Sequence, residues 1–310
     1  MEEVTEMAKV LYNGKDISAD VEIGVLDVSD SCGDQIDAID AVFADSRGQW
    51  SGWKPQKGET LDVEQDGYRA GQMWIDRIRQ QNGKLALGAI SLPPAGRTPR
   101  TKVWENVTLL TLAAEKAALY GLTPEFYGVP SYPYARVDQI SRKDFGFLQE
   151  RARLEGCTMK LSDGKLVIYS DAYMESLPAA RRIDASEFYG PPNFDDSAGQ
   201  TYSSCTVSWG DFSATHTDPG CLGPERIVSN IPVSSIGEAQ RFARYLLRDA
   251  NKRETRGEIS VLLDTTIAGG SVVEVTGMGL SDGRYFVELA RHSFAEQVTT
   301  LQIRRCFERY

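Results

Sequence analysis

The sequence predicts an α+β protein that is mainly β, with two β-barrels flanking a small α+β domain. Two observations predict this architecture. A pattern of strand, glycine turn and strand occurs near both ends of the chain with identical spacing. Between the two copies, residues 138–169 are typical of a helix followed by a β-hairpin. The predicted domains are residues 1–97, 98–169 and 170–310, and the third includes a loop-rich insertion near residues 185–233 and a helix near residues 236–251.

The repeated pattern relates residues 58–76 to residues 270–288, an offset of 212. In each copy a glycine opens a strand, a second glycine follows after a fixed interval, and a bulky apolar triplet comes next. The second glycines, Gly71 and Gly283, are predicted to adopt a backbone conformation that glycine tolerates best. We interpret the repeat as a duplicated small β-barrel. A chance match is the alternative, because turn glycines are common between strands.

The first barrel contains a predicted strand over residues 36–45 and then a loop rich in glycine, tryptophan and proline. Trp50 and Trp53 in this loop could form a sugar-stacking platform. Two tryptophans packed over the end of a small barrel are the commoner arrangement.

The middle domain is predicted to begin after Pro93 and Pro94, because consecutive prolines interrupt regular structure. A helix is predicted over residues 104–120, capped by Asn106 or Thr108. Residues 123–134 are predicted to form a loop.

A second helix is predicted to begin at Ser141, which forms a pattern similar to a capping box with Asp144. Gly156 is predicted to end this helix, because glycine adopts the left-handed C-terminal cap most easily. A hairpin with its turn at residues 162–165 follows.

The third domain is readable mainly near residues 236–251, where a capping box of Ser235 and Glu238 precedes an amphipathic helix. We interpret its basic face as solvated, with contact to acidic neighbours as the alternative. That face consists of Arg241, Arg244, Arg248 and Lys252. Within the loop-rich region, a strand is predicted over residues 201–209.

The chain has 34 Lys and Arg against 44 Asp and Glu, and its net charge is −10. An acidic surface argues against wrapping nucleic acid or binding an anionic membrane. Residues 1–6 lack the basic and apolar regions of a signal peptide, and no apolar run is long enough for a membrane span. We therefore expect synthesis in a bacterial cytoplasm and no membrane anchor.

The five cysteines are odd in number and scattered, which favours reduced, buried thiols over a disulfide framework. Cys205, His216 and Cys221 could reach one metal, but they lack the paired-cysteine spacing of a zinc site. The two histidines lie in no catalytic motif. The sequence therefore predicts no catalytic residue, no cofactor site, no metal site and no enzymatic activity.

Two groups of residues in the middle of the chain follow an order seen in a known family. The first group contains Trp104, Val107, Thr108, Leu109, Gly121 and Leu122. The second contains Gln139, Arg142, Asp144, Phe145, Phe147, Leu148, Ala152, Gly156, Asp163, Gly164, Lys165 and Leu166. In order and spacing they resemble the phage late control D family, the baseplate hub proteins of contractile tails. The resemblance extends over most of the chain.

The resemblance implies that both β-barrels are like those of tail-tube proteins. It implies a structural protein of the virion baseplate, or of an R-type bacteriocin (tailocin), that joins the hexameric tail tube to the trimeric spike and lines the central channel. Expected partners are two further copies in a homotrimer, the tail tube protein, the spike protein, other baseplate proteins, and DNA that passes without specific binding. Three chains would supply six barrels to a six-fold tube.

Five strand carboxylates alternate with core residues and are therefore predicted to face away from the barrel interiors. These are Asp62, Glu64, Asp76, Glu274 and Glu288. They are candidates for an acidic channel lining that repels DNA, with plain solvation as the alternative. Two other functions remain open from sequence: a carbohydrate-binding or cell-wall-degrading protein, and a cytoplasmic binding module unrelated to phage.

Overall fold

The computed structural model describes residues 8–33 and 35–307, so the predictions made for residues 1–6 lie outside the described residues. The N-terminal elements are β1 (Lys9–Tyr12), β2 (Lys15–Asp16), β3 (Glu22–Ser31), β4 (Ala38–Ala44), α1 (Gln49–Trp53), β5 (Thr60–Gln65), β6 (Tyr68–Arg69), β7 (Met73–Gln81) and β8 (Lys84–Ile90). The middle elements are β9 (Pro99–Thr108), α2 (Leu109–Leu119), β10 (Thr123–Tyr127), β11 (Pro133–Lys143), α3 (Asp144–Leu154), β12 (Cys157–Ser162), β13 (Lys165–Ser170) and α4 (Asp171–Ser176). The C-terminal elements are β14 (Arg181–Asp184), β15 (Asn193–Asp196), β16 (Ser204–Trp209), β17 (Phe212–Thr217), β18 (Glu225–Val228), α5 (Ile236–Asn251), β19 (Thr255–Leu262), β20 (Val272–Thr276), β21 (Gly283–Ser293) and β22 (Val298–Arg305).

One 14-stranded sheet runs through both ends of the chain. Its main path is β15-β19-β22-β21-β3-β4-β8-β7-β5-β1-β2, with β6, β14 and β20 attached at its sides. The two halves meet where β21 pairs antiparallel with β3, from Leu289 opposite Ser31 to Ser293 opposite Asp27. The fold is mainly β, as predicted. The described strands form no closed barrel, so the two-barrel arrangement stays a prediction.

The repeat at an offset of 212 has the same strand register in both copies. Leu61 lies opposite Met73 between β5 and β7, and Val273 lies opposite Tyr285 between β20 and β21. Both members of the second pair lie 212 residues after those of the first. All four side chains are buried, so equivalent positions in the two copies of the repeat contribute to the apolar cores.

Backbone hydrogen bonds repeat at the same offset. Gly58 N–H donates to the Ile75 carbonyl at 2.8 Å, and Gly270 N–H donates to the Val287 carbonyl at 2.8 Å. A register shift follows Ile75 in β7 and Val287 in β21. Turn glycines alone would not reproduce a hydrogen bond and a bulge at matched positions. The two segments are therefore copies of one structural unit.

The middle of the chain contains more strand than the sequence predicted. Residues 104–107 belong to β9, which pairs with β11, so the helix begins only at Leu109. Thr108 is its N-cap, because its side chain accepts a hydrogen bond from Thr111 N–H. The loop predicted over residues 123–134 instead contains β10, which pairs parallel with β13.

The start of α3 also differs from the prediction. Ser141 lies in β11 and makes no cap, and Lys143 is the N-cap residue without a side-chain hydrogen bond. Gly156 does end the helical segment, with φ of +66°. The β12–β13 hairpin is present as predicted, and Asp163 and Gly164 form its turn with positive φ.

The helix predicted near residues 236–251 is α5, and Ser235 caps it by accepting a hydrogen bond from Glu238 N–H. In the loop-rich region, β15 joins the large sheet, whereas β16, β17 and β18 form a separate small sheet. Val207 of that small sheet and Phe242 of α5 share one apolar core with α2 and α3. The domain division made from the sequence stays a prediction.

Candidate functional site

The two tryptophans considered as a sugar-stacking platform pack against each other, with Trp50 buried and Trp53 36% exposed. Trp50 is 1% exposed, and its ring meets Trp53 edge-on with centroids 4.9 Å apart. Tyr12 stacks on Trp53 at 6.5 Å. The pair therefore closes one end of the first β unit, which is the commoner of the two arrangements considered from sequence.

The three residues considered as metal ligands do not form a site. Cys205 and His216 are cross-strand partners in β16 and β17, while the Cys221 thiol donates to Asp218 at 3.2 Å. Within residues 8–33 and 35–307, no group of three or more His, Cys, Asp or Glu side chains could hold a metal ion. All five cysteines are buried thiols outside any disulfide, as predicted.

Four of the five carboxylates considered for an acidic channel lining form ion pairs with arginines, and Glu64 lies 3.4 Å from Arg69. Arg69 lies 2.8 Å from Asp62, and Arg97 lies 2.6 Å from Asp76. Glu288 is paired with Arg253 at 2.9 Å. Asp62 is only 5% exposed and accepts a hydrogen bond from Arg69, so the alternative of plain solvation does not describe this residue.

Three of the residues that carry the family resemblance, Trp104, Gln139 and Asp144, belong to a polar cluster that joins α2 and α3. Lys116 Nζ donates to Gln139 Oε1 at 3.0 Å and to Asp144 Oδ1 at 2.7 Å. The Tyr120 hydroxyl donates to Asp144 Oδ2 at 2.6 Å, and the Trp104 ring lies 4.9 Å from Lys116 Nζ. Asp144 therefore stabilises the contact between α2 and α3 and does not form a capping box.

Three of the four residues on the basic face of α5 contact acidic neighbours: Arg248 is buried, Arg241 and Lys252 are partly buried, and Arg244 is exposed. The interpretation as a solvated face was therefore wrong for Arg241, Arg248 and Lys252, for which the alternative holds. Arg248 lies 2.9 Å from Glu175, and Lys252 lies 3.0 Å from Asp171. Both acids belong to α4, and Arg304 of β22 reaches Glu175 at 2.7 Å. The cluster fixes α4 and α5 against the large sheet.

The charged state of this cluster follows from the balance of burial and pairing. Burial alone would raise the pKa of Asp171, but Lys252 and Arg304 more than offset it and hold the pKa below the ordinary value. Burial favours neutral Lys252, yet Asp171 and Asp249 raise its pKa. Asp171 and Lys252 are therefore charged at neutral pH and stabilise the contact between α4 and α5.

A second charged contact joins β12 of the middle unit to the N-terminal half. Lys160 pairs with Asp30, and its Nζ lies 3.8 Å from Asp37. Burial raises the pKa of Asp37 to about 7, although Lys160 opposes the shift. Together with the first cluster, this contact holds the middle elements, residues 99–176, against the large sheet.

The surface best suited to a partner is the border of the large sheet. β15 ends the sheet path, and β7 pairs with β5 only at Met73 and Trp74. Among the described strands, none pairs with residues 77–81 on the side away from β8. Unpaired strand borders present N–H and C=O groups that can bind another strand.

The described helices include none that is long and apolar enough to cross a membrane.

Comparison with solved structures identifies the fold. The tail protein from Neisseria meningitidis MC58 matches with a TM-score of 0.78 and 18% identity, over 96% of each chain. The chain has the fold of phage tail proteins. The 43 kDa tail protein of prophage MuSo2 from Shewanella oneidensis has this fold too, with a TM-score of 0.77 and 14% identity over 96% of this chain and 98% of that one.

The phage-tail fold is also similar to the prophage tail protein gp18 from Listeria monocytogenes EGD-e. That match has a TM-score of 0.61 and 13% identity, over 96% of this chain and 94% of the other. No protein-family model and no curated protein matches the sequence. The phage-tail fold therefore covers nearly the whole chain, at identities where sequence comparison alone is weak.

Proposed function

We propose that this chain is a structural baseplate hub protein of a contractile phage tail or a tail-like bacteriocin. It joins the hexameric tail tube to the trimeric spike and surrounds the central channel. The observation that carries the proposal is the duplicated β unit, whose two copies have equal register and lie in one sheet. A protein that presents two copies of a unit per chain can match a six-fold partner with three chains.

The same arrangement explains how one protein meets two symmetries. Three identical chains have three-fold symmetry, which suits a trimeric spike, and their six β units approximate the six-fold symmetry of a tube. In this proposal the middle unit contacts other baseplate proteins. The work of such a hub is mechanical, so it needs no catalytic residue, cofactor or metal.

Immunogold electron microscopy of purified tail particles tests the proposed location. An epitope tag after residue 307 should place gold at one end of the tail, the end that carries the baseplate. Tagged tube protein is the matched control and should label the tail along its length. Absence of the chain from particles, or label spread along the tube, would contradict the proposal.

A further inference from the structure

The junction between the two halves of the chain is itself a strand pair. Residues 289–293 of β21 pair antiparallel with residues 27–31 of β3, and this contact makes the sheet continuous. In the repeat, the equivalent of residues 289–293 is residues 77–81 of β7, at the offset of 212. The first half therefore contains the same border as the second, but without a strand on it.

The equivalent of β3 in the second half is β15, as the neighbouring registers show. In the first half, Asp27 lies opposite Asp40 of β4. In the second half, Asn193 lies opposite Glu258 of β19. β4 lies between β3 and β8, and β19 lies between β15 and β22 in the same way. Residues 193–196 of β15 therefore correspond to residues 27–30 of β3.

Each chain thus has two complementary free borders, one on β7 and one on β15. Within residues 8–33 and 35–307, the border of β15 opposite to β19 has no strand partner, and residues 77–81 have none on their outer side. Transferring the β21–β3 register places Gln81 opposite Asn193 and Arg79 opposite Asp195.

The charges of the two borders agree with this register. Arg79 is exposed and makes no ion pair with any residue of the described ranges, whereas Asp195 is exposed on β15 and pairs there with Arg256 of β19 at 3.1 Å. An exposed carboxylate between two strands can accept from an arginine on each side. Directly opposite residues in an antiparallel pair lie close enough for such charges to attract each other. On the other face, Ile78 packs on the N-terminal core and Phe194 on the C-terminal core. The transferred register keeps both apolar side chains on one face of the sheet.

We propose that β15 of one copy of this chain adds antiparallel to residues 77–81 of β7 in the next copy, in the register that joins β3 to β21 within the chain. The proposal rests on the proposed hub function and names the contact that builds its trimer. The two borders differ, so the contact is head-to-tail and closes into a ring when each copy uses both of its borders. In the closed ring the sheet has no free border at these positions.

Disulfide cross-linking tests the register directly. Opposite residues in an antiparallel pair have Cα atoms about 4.5–5.5 Å apart, within the range of about 4.4–6.8 Å that a disulfide spans. The double variant Gln81→Cys with Asn193→Cys should therefore form disulfides between copies under mild oxidation. The native cysteines give little background because all five are buried.

The expected result is a non-reducing gel with bands at two and three times 34.3 kDa, that is 68.6 and 102.9 kDa. Each single-cysteine variant is a control. A second control, Gln81→Cys with Asp196→Cys, places the thiols about 10 Å apart along the strands and on opposite faces, which is too far for a disulfide. Cross-linking in the control pair that equals that in the test pair would overturn the register.

Charge reversal provides an independent measurement on the intact chain. Arg79→Glu should weaken assembly roughly twofold to fivefold per junction, because it places two acids opposite each other. Asp195→Arg should do the same by placing two cations together. The double variant should assemble better than Asp195→Arg alone, since every junction then regains an opposite-charge pair, while Arg256 has lost its Asp195 partner in both variants. A double variant that assembles no better than Asp195→Arg would contradict the proposed contact.

The outcomes separate this inference from the function on which it rests. A particle of 102.9 kDa by light scattering without cross-links at positions 81 and 193 would overturn the strand contact and leave the trimeric hub standing. Cross-linked chains longer than three copies would support the contact and contradict the trimer. A chain that stays at 34.3 kDa and forms no cross-link would overturn both.

Discussion

Arg304 is the residue on which the largest buried ion cluster depends. It is 1% exposed, lies 2.7 Å from Glu175, and its guanidinium also reaches Glu288 at 3.3 Å. The centroid of the Phe286 ring lies 4.4 Å from the central carbon of the Arg304 guanidinium. Removing one member of a buried ion pair leaves its partner charged and unpaired, which is far more costly than losing an exposed pair.

We therefore expect Arg304→Met to lower the free energy of unfolding by about 3 kcal/mol or more. Arg136→Met is the matched control, because the Arg136–Asp138 pair is exposed, at 61% and 37% of the two side chains. That control should cost less than about 1 kcal/mol. Urea unfolding of the two variants measures the difference, and equal losses would show that the cluster is not stabilising.

Asp37 predicts a pH dependence of stability. Burial raises its pKa from 3.8 to about 7, although Lys160 opposes the shift. Between these values the folded chain holds a proton that the unfolded chain has released, so the contribution of Asp37 to stability falls as pH rises from about 4 to about 7.

Asp37→Asn removes this titration, and an amide oxygen can still accept the hydrogen bond from Ser31 N–H. The unfolding free energy of the wild type minus that of the variant should fall across this window and stay level above it. Urea titrations at a series of pH values measure the difference. A difference that is constant from pH 4 to pH 7 would disprove the assignment.

Single residues also show where sequence analysis fails. Asp144 was assigned to a helix cap because local spacing alone was considered, whereas its carboxylate binds Lys116 and Tyr120 from α2. Arg248 and Lys252 were assigned to solvent because their acidic partners lie in α4, some 70 to 80 residues earlier. Local patterns carry no information about such distant partners.

At the scale of elements, the turn before β7 contacts the hairpin of the middle unit. A Cβ added to Gly71 would lie 2.7 Å from Asp163 Cβ and 2.8 Å from its Cα. Gly67, four residues earlier, has the same φ of +83° but open space around it. The two glycines therefore differ in the contacts that an added Cβ would make, and not in φ.

Gly67→Ala should lower the free energy of unfolding by about 1 kcal/mol, because alanine is strained at positive φ. Gly71→Ala should cost at least about 1 kcal/mol more, because the β12–β13 turn must move away. Thermal unfolding of both variants measures the two losses. Equal losses would mean that this contact does not help to hold the middle unit on the sheet.

Elements with strong local signals were predictable, and elements that depend on distant partners were not. The α5 helix and the β12–β13 hairpin have their caps and turn residues in sequence, at Ser235 and at Asp163-Gly164. The sequence predicts helix for residues 104–108 at the end of β9, because the partner strand β11 begins 25 residues after β9 ends. It predicts loop for β10, because β10 pairs with the distant β13. The matched spacing of glycines predicted the duplication, but not that both copies lie in one sheet.

At the scale of the whole molecule, two copies of one β unit are joined by a strand pair, and the middle unit is fixed to their sheet by two charged contacts. The two free sheet borders of such a chain differ from each other, whereas its two β units are nearly equivalent. If the β21–β3 pair were repeated between chains by β7 and β15, every β unit would have equivalent neighbours. A ring of three chains needs this equivalence to match a six-fold tube.

The most direct test of this account is the mass of the assembled protein in solution, measured by light scattering. A trimeric hub predicts three times 34.3 kDa, or 102.9 kDa. A stable dimer of twice 34.3 kDa, or 68.6 kDa, would contradict the account, because two chains cannot match a trimeric spike.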